Sequence, residues 1–151
     1  MADNYGQATN EANALINLHG AGTYGVSSAK GTAINAGEIN VDSFIPTLDD
    51  NGNITSEAYW QTNTPYLMGG GMLVGSTETG WADATGLNTG TINVNNEGFG
   101  MLALNGGTAV NQGTINLTTD ENVTKQQNNQ LFAMGAVGTG VAINDKTGVI
   151  N

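Results

Sequence analysis

The sequence predicts an all-β fold: a single-stranded β-solenoid of about five coils with a β-hairpin inserted into it. Three observations predict it. The 151 residues include 23 Gly, 21 Asn and 19 Thr, a composition that makes turns readily and helices poorly. A phrase of the form G-x-A-Φ-N-x-G-x-I-N-Φ, where Φ is aliphatic, recurs along the chain. Its copies return every 23 residues once two insertions are set aside. Disorder does not fit, because only 11% of residues are charged and the aliphatic residues fall at fixed places.

The first copy is degenerate, Gly6-Gln-Ala-Thr-Asn10 followed by Leu15-Ile-Asn-Leu18. The second is the cleanest, Gly31-Thr-Ala-Ile-Asn35-Ala-Gly37-Glu-Ile-Asn-Val41. Ile16 and Ile39 set the 23-residue period; Ile39 to Ile92 is 53, one period plus an insertion. The third copy is Ala84-Thr-Gly-Leu-Asn88-Thr-Gly90-Thr-Ile-Asn-Val94, and the fourth, again after 23, is Gly107-Thr-Ala-Val-Asn111-Gln-Gly113-Thr-Ile-Asn-Leu117. The last is Gly140-Val-Ala-Ile-Asn144 with Gly148-Val-Ile-Asn151. The second half of the unit repeats partly, as Gly71-Met-Leu-Val74, Gly100-Met-Leu-Ala103 and Leu131-Phe-Ala-Met134.

Strand alternation assigns each residue of a unit a face. Ile39 and Val41 point one way, Glu38 and Asn40 the other. The predicted interior is Ile16, Ile39, Val41, Ile92, Val94, Ile115, Leu117 and Ile150. Gly37, Gly90, Gly113 and Gly148 are expected at corners with positive φ. Asn35, Asn88, Asn111 and Asn144 precede those corners and are expected to bond one another in a ladder. The chain reads as one solenoid segment, 1–151, with insertions at 42–70 and 118–129. Asn51-Gly52 between two β-prone runs marks the first as a hairpin, and the second is a polar loop.

The charge balance narrows function. A net charge of −10, with three Lys and no Arg, argues against nucleic acid and against a polybasic membrane surface. No apolar run is long enough to insert in a membrane as a helix. The absence of Cys excludes disulfides and thiolate chemistry. The opening residues carry no signal peptide, so a targeting signal for an exported parent lies elsewhere. Both ends break off at repeat strands, which reads as a cut from a longer helix.

The repeated phrase, preceded by Gly-Met-Leu, resembles the β-helical passenger repeats of type V autotransporter adhesins of Gram-negative bacteria, those of fusobacteria in particular. The resemblance covers about four of five coils and does not extend to the 42–70 insertion. It implies a right-handed β-helix at the bacterial cell surface, outside the cell, anchored to the outer membrane by another part of the parent protein. It implies adhesion or a stalk role, and no catalytic residues or cofactors. The partners expected are a host-cell or bacterial surface protein or glycan, or copies of the chain itself through solenoid ends or flanks.

Phe44, Tyr59, Trp60 and Tyr66, four of the nine aromatics, all fall in the first insertion and are the candidate ligand-binding residues. Aromatic rings supply contact area for proteins and stack on sugars. The alternative is that they form the hairpin's own small core. Asp49, Asn51 and Asn53 suggest a calcium loop, but aligning Gly52 with the loop's sixth position puts Thr47 at the first and Ala58 at the twelfth, where carboxylates belong. His19 is read as a surface turn residue and Trp81 as a corner residue. An outward Thr array for ordering ice would use Thr91 and Thr114, but Leu15, Glu38 and Val149 interrupt it. A polysaccharide lyase needs a base beside calcium-binding acids, and the only candidate bases are Lys30, Lys125 and Lys146, so no enzyme is expected.

Overall fold

The computed structural model describes residues 5–20, 22–42, 49–51, 68–80, 83–119 and 131–151. Each of the first four coils lays down three short strands, one on each of three parallel sheets, and the fifth adds one to each of two. The first sheet stacks β1 (Gly6–Asn10), β4 (Gly31–Asn35), β7 (Ala84–Asn88), β10 (Gly107–Asn111) and β13 (Val141–Asn144). The second stacks β2 (Leu15–His19), β5 (Glu38–Asp42), β8 (Thr91–Asn95), β11 (Thr114–Thr118) and β14 (Val149–Ile150). The third stacks β3 (Tyr24–Ser28), β6 (Gly70–Val74), β9 (Gly98–Ala103) and β12 (Leu131–Ala136). Every pairing between these strands is parallel and joins equivalent residues of successive coils, as Ile39 with Ile92 and Ile92 with Ile115. This is a parallel β-helix, as the 23-residue period predicts.

The interior follows the predicted alternation. Ile39, Val41, Ile92, Val94 and Ile115 are completely buried. Burying each such side chain contributes about 1.5–3 kcal/mol. Ile16 and Leu117 are only partly buried against this core. Ile150 departs from expectation and is 43% exposed, because β14 pairs on one side alone, with β11, and no further coil covers it.

Side-chain volume is matched across the section. The first sheet turns small residues inward, Ala33, Gly86 and Ala109, and the third supplies Met72, Val74 and Met101. A Cβ on Gly86 would land on the Val74 methyl. The Gly-Met-Leu phrase has a similar cause: a Cβ on Gly71 or Gly100 would run into the side chain of Ile92 or Ile115. On the third sheet the register places Met134 opposite Met101, so Leu131-Phe-Ala-Met134 lies two residues out of phase with the sequence alignment of the repeats. A two-residue slip keeps every side chain on its face.

The corner glycines correct another expectation. Gly37, Gly90, Gly113 and Gly148 do not have positive φ. They are glycine because backbone stacks on backbone there: a Cβ on Gly90 would collide with the Gly37 carbonyl, and one on Gly113 with the Gly90 carbonyl. Positive φ occurs instead at other turns, for example at Gly75, Gly106 and Gly138 just beyond the third sheet.

The predicted amide ladder is present inside the first corner. Asn10 donates to Asn35 (2.8 Å), Asn35 to Asn88 (2.7 Å), Asn88 to Asn111 (2.7 Å) and Asn111 to Asn144 (2.8 Å). The remaining amide protons reach backbone carbonyls, as Asn10 to Glu38 at 3.2 Å and Asn144 to Gly148 at 3.2 Å. A second ladder runs outside the second sheet, Asn151 to Asn116 to Asn93 to Asn40 to Asn17, with bonds of 2.7–3.0 Å.

Candidate ligand-presenting corner

Each coil turns from the second sheet to the third, and the four complete coils do this differently. Coil 1 uses residues 20–23 and coil 3 the pair Asn96-Glu97. Coil 2 leaves β5 at Asp42 and starts β6 at Gly70; coil 4 leaves β11 at Thr118 and starts β12 at Leu131. Both insertions are therefore rooted at one corner, two coils apart. At a strand spacing of about 4.8 Å, their roots are about 10 Å from each other.

The tight turn of coil 3 lies between these roots. Asn96 adopts φ of 66°, a left-handed conformation that Asn tolerates better than most residues. Its N–H donates to the Thr118 carbonyl at 2.7 Å, tying the turn to the root of the second insertion. Glu97 is 3% exposed, and burial pushes its carboxyl up to about 7. Asp42, at the root of the first insertion, pairs in register with His19 below and Asn95 above. Burial raises the Asp42 carboxyl, and the smaller effect of His19 lowers it. The Asp42 Oδ1 is buried without a hydrogen bond. His19 is the exposed last residue of β2 rather than a turn residue.

Beside the roots, the third sheet carries a second apolar cluster on the face away from the interior. Met68, Phe99, Leu102 and Leu104 are buried there, with Tyr24, Leu73 and Phe132 packed on them. The rings form a column: Phe99 stacks on Phe132 at 5.7 Å between centroids and meets Tyr24 at 6.2 Å. Tyr24 and Phe99 belong to coils 1 and 3, so a coil separates them. The residue between them in register is Gly70, where a Cβ would fall on the Phe99 ring. The missing side chain of Gly70 gives Phe99 the room to reach Tyr24.

Sequence reasoning singled out neither this column nor Glu97. Aligning Gly98-Phe-Gly-Met101 with Leu131-Phe-Ala-Met134 shows Phe99 over Phe132 and was the available signal. Of the predicted residues, Phe44, Asn53, Tyr59, Trp60, Tyr66 and Trp81 lie outside the described residues. Asp49 and Asn51 are described: the Asn51 N–H donates to the Asp49 carboxylate at 2.9 Å, a local turn. Among the described residues no three His, Asp or Glu side chains converge as a metal site would require. A shallow open groove of about 440 Å³ follows the corner between the first and second sheets, where Gly37 and Gly90 stack beside Asn13, Leu15, Glu38 and Thr91.

Comparison with known proteins gives two matches. The family model described as the BigA third pectate lyase-like domain matches residues 1–148. A protein of Salmonella typhimurium (strain LT2), carrying the provisional name surface-exposed virulence protein BigA, is 54% identical over all 151 residues. The chain spans 8% of that relative's length. No solved structure matches. Both matches agree with a bacterial β-helix; they point to this pectate lyase-like domain and not to fusobacterial repeats in particular.

Proposed function

The chain belongs to the BigA third pectate lyase-like domain family, and from that premise we propose that it is a β-helical segment of a bacterial surface adhesin. In this reading the parent is exported, anchored in the outer membrane by another of its parts, and arranged like an autotransporter passenger. The coils form a rigid stalk, and the corner insertions are presented to a protein or glycan on a host or partner cell. The observation that carries the reading is the common root of the two insertions. The two longest connections, 43–69 and 119–130, leave this corner, and the nine residues 75–83 lengthen the corner between the third and first sheets, while the sheets stay in register; such a repeat keeps a scaffold and diversifies its surface. The relative's name, which associates that protein with surface exposure and virulence, favours the same reading.

The name of the fold also invites a lyase, and the scarcity of basic residues, three Lys and no Arg, supports binding over that reading. A lyase needs a base beside calcium-binding acids, and of the three lysines Lys125 lies in the second insertion, outside the described residues. Lys30 lies over the Tyr5 ring, 4.5 Å from its centroid, at the turn between β3 and β4. Lys146 sits in the turn between β13 and β14. The alternative is a self-associating solenoid without a separate ligand, joined through its ends or flanks.

Binding of the intact chain to a glycan array and to host-cell and bacterial surfaces tests the adhesin reading, with a Trp60→Ala/Tyr66→Ala variant beside it. Binding that the folded variant loses is the expected result. Equal binding by both would remove the first insertion's aromatics from the site, and no binding by either would leave a stalk.

A further inference from the structure

The corner between the first and second sheets is not uniform along the solenoid. In coils 2, 3 and 4 it is turned by two residues, 36–37, 89–90 and 112–113. In coils 1 and 5 it takes four, 11–14 and 145–148. The two long turns are built alike: the Ala14 N–H donates to the Glu11 carbonyl at 3.0 Å, and the Gly148 N–H to the Asp145 carbonyl at 2.8 Å. Three narrow corners therefore lie between two wide ones, which are four coils and about 19 Å apart. The open groove of about 440 Å³ begins against the wide turn of coil 1, at Asn13, Ala14 and Leu15, and runs over Gly37 and Gly90. Gly113, stacked on Gly90, continues its floor. Glu38 and Thr91 stand at its rim, and Thr114 follows Thr91 in register.

We infer that this groove is a binding site separate from the insertions, and that it takes an extended, neutral oligosaccharide lying along the solenoid axis.

Three features choose that class of ligand. The first is which groups are left to bond. The floor is backbone, and its carbonyls are already engaged: Gly37 accepts from the Thr91 N–H and Gly90 from the Thr114 N–H, both at 2.9 Å. A peptide that adds as a strand needs open backbone partners, and it meets none on this floor. What remains is side chain, the Glu38 carboxylate and the Thr91 and Thr114 hydroxyls, which exchange hydrogen bonds with sugar hydroxyls. The second feature is charge. Glu38 is at the rim, and Glu11 and Asp145 are in the two wide turns. Among the described residues the lysine of this corner is Lys146, in the far turn beside Asp145. An anionic polysaccharide would therefore meet acids along the groove. The third is repetition. Each coil offers the same rim again after about 4.8 Å, close to the advance of one ring in an extended pyranose chain, so successive rings meet successive coils. The glycines serve both ends: a Cβ on Gly90 or Gly113 would collide with the carbonyl of the glycine one coil away, and their lack of side chains keeps the floor open. None of the residues lining the groove is aromatic. A single site is therefore weak and gains strength where many chains meet many glycans. The inference adds a site to the adhesin reading without resting on it, because no insertion residue takes part.

Titration of the isotope-labelled chain with cellohexaose, mannohexaose and chitohexaose, followed by amide chemical shifts, tests it, with hexagalacturonate as the anionic comparison. The expected result is saturable shifts at Gly37, Gly90, Thr91, Gly113 and Thr114 with at least one neutral sugar, and none there with hexagalacturonate. Thr91→Val/Thr114→Val keeps the side-chain shape and removes both hydroxyls, and should weaken binding about tenfold. Glu38→Gln, at an exposed position, should weaken it about fivefold; it keeps the test open even if the double valine variant fails to fold. The Trp60→Ala/Tyr66→Ala variant should bind these sugars as wild type does, so the groove and the adhesin reading can each fail alone. The inference is overturned by silence of the groove toward all three neutral sugars, by shifts that map to another face, or by full affinity in the rim variants. Groove shifts with hexagalacturonate alone would overturn the neutral class. Shifts produced there by a neutral Ser/Gly decapeptide and by no sugar would make the occupant a peptide instead.

Discussion

Asn35, Asn88 and Asn111 are fully buried amides in a largely aliphatic interior. Each is tolerated because its neighbours one coil away satisfy it. Replacing Asn88 with Ala deprives the Asn35 amide of its acceptor and the Asn111 carbonyl of its donor at once. Two buried groups left short of a partner cost about 3 kcal/mol together, which lowers the melting temperature of a domain this size by about 6–12 °C. Asn93→Ala removes the equivalent rung of the outer ladder, where water replaces the lost bonds, and should cost under about 1 kcal/mol. Thermal unfolding of the two variants checks the contrast; equal losses would show that burial is not what makes the inner ladder matter. Glu97 gives a pH signature. Its carboxyl, pushed up to about 7 in the folded chain from an ordinary 4.5, holds a proton that the unfolded chain has released between those values. This contribution to stability is therefore fully present below about pH 4.5 and is lost as the pH rises to about 7, amounting to about 3 kcal/mol at most and less where solvent screens the group. Asp42 shifts in the same direction and adds to the trend. Glu97→Gln should flatten most of the slope of melting temperature between pH 5 and 8, and an unchanged slope in the variant would assign it to other groups.

At the scale of the element, the strands of the second sheet were fully legible in the sequence. Their x-Ile-Asn-Val alternation is a local pattern, and the 23-residue period fixes which copies stack. The corner glycines were legible only as glycines. Whether such a residue serves a left-handed turn or a close contact depends on what lies one coil away, which a local pattern does not contain. The structure decides for contact at Gly90, and this makes a test. In Gly90→Ala the new Cβ meets the Gly37 carbonyl, backbone that is itself held by the next coil. The loss should be at least about 3 kcal/mol. Gly20→Ala has the opposite balance, with φ of +98° and open space around it, and should cost only about 1–2 kcal/mol of backbone strain. Denaturant midpoints of the two variants measure both. The aromatic column was missed for a related reason: Phe99 and Phe132 align in sequence, but Tyr24 looks unrelated to them until Gly70 is placed between it and Phe99.

For the whole molecule, the decisive feature is that the two longest departures from the repeat, 43–69 and 119–130, occur at one corner, with the shorter 75–83 at the next. Coil 1 shows that four residues, 20–23, suffice to turn the first of these corners. Replacing residues 43–69 with the sequence Gly-Ala-Gly-Thr taken from there should therefore leave Asp42 feeding into Gly70 and every described strand pairing intact. Closing a shorter loop favours the folded state by about 1–2 kcal/mol. The substitution also removes Met68, which is buried in the outer cluster, and that loss acts in the opposite direction by about 2–3 kcal/mol. The two effects nearly cancel, so the excised chain should keep its β circular dichroism and melt within about 5 °C of the parent. If the adhesin reading holds, it should lose surface binding while remaining folded. A chain that collapses on excision would make residues 43–69 part of the structural core and remove the distinction between stalk and presented loop on which that reading rests.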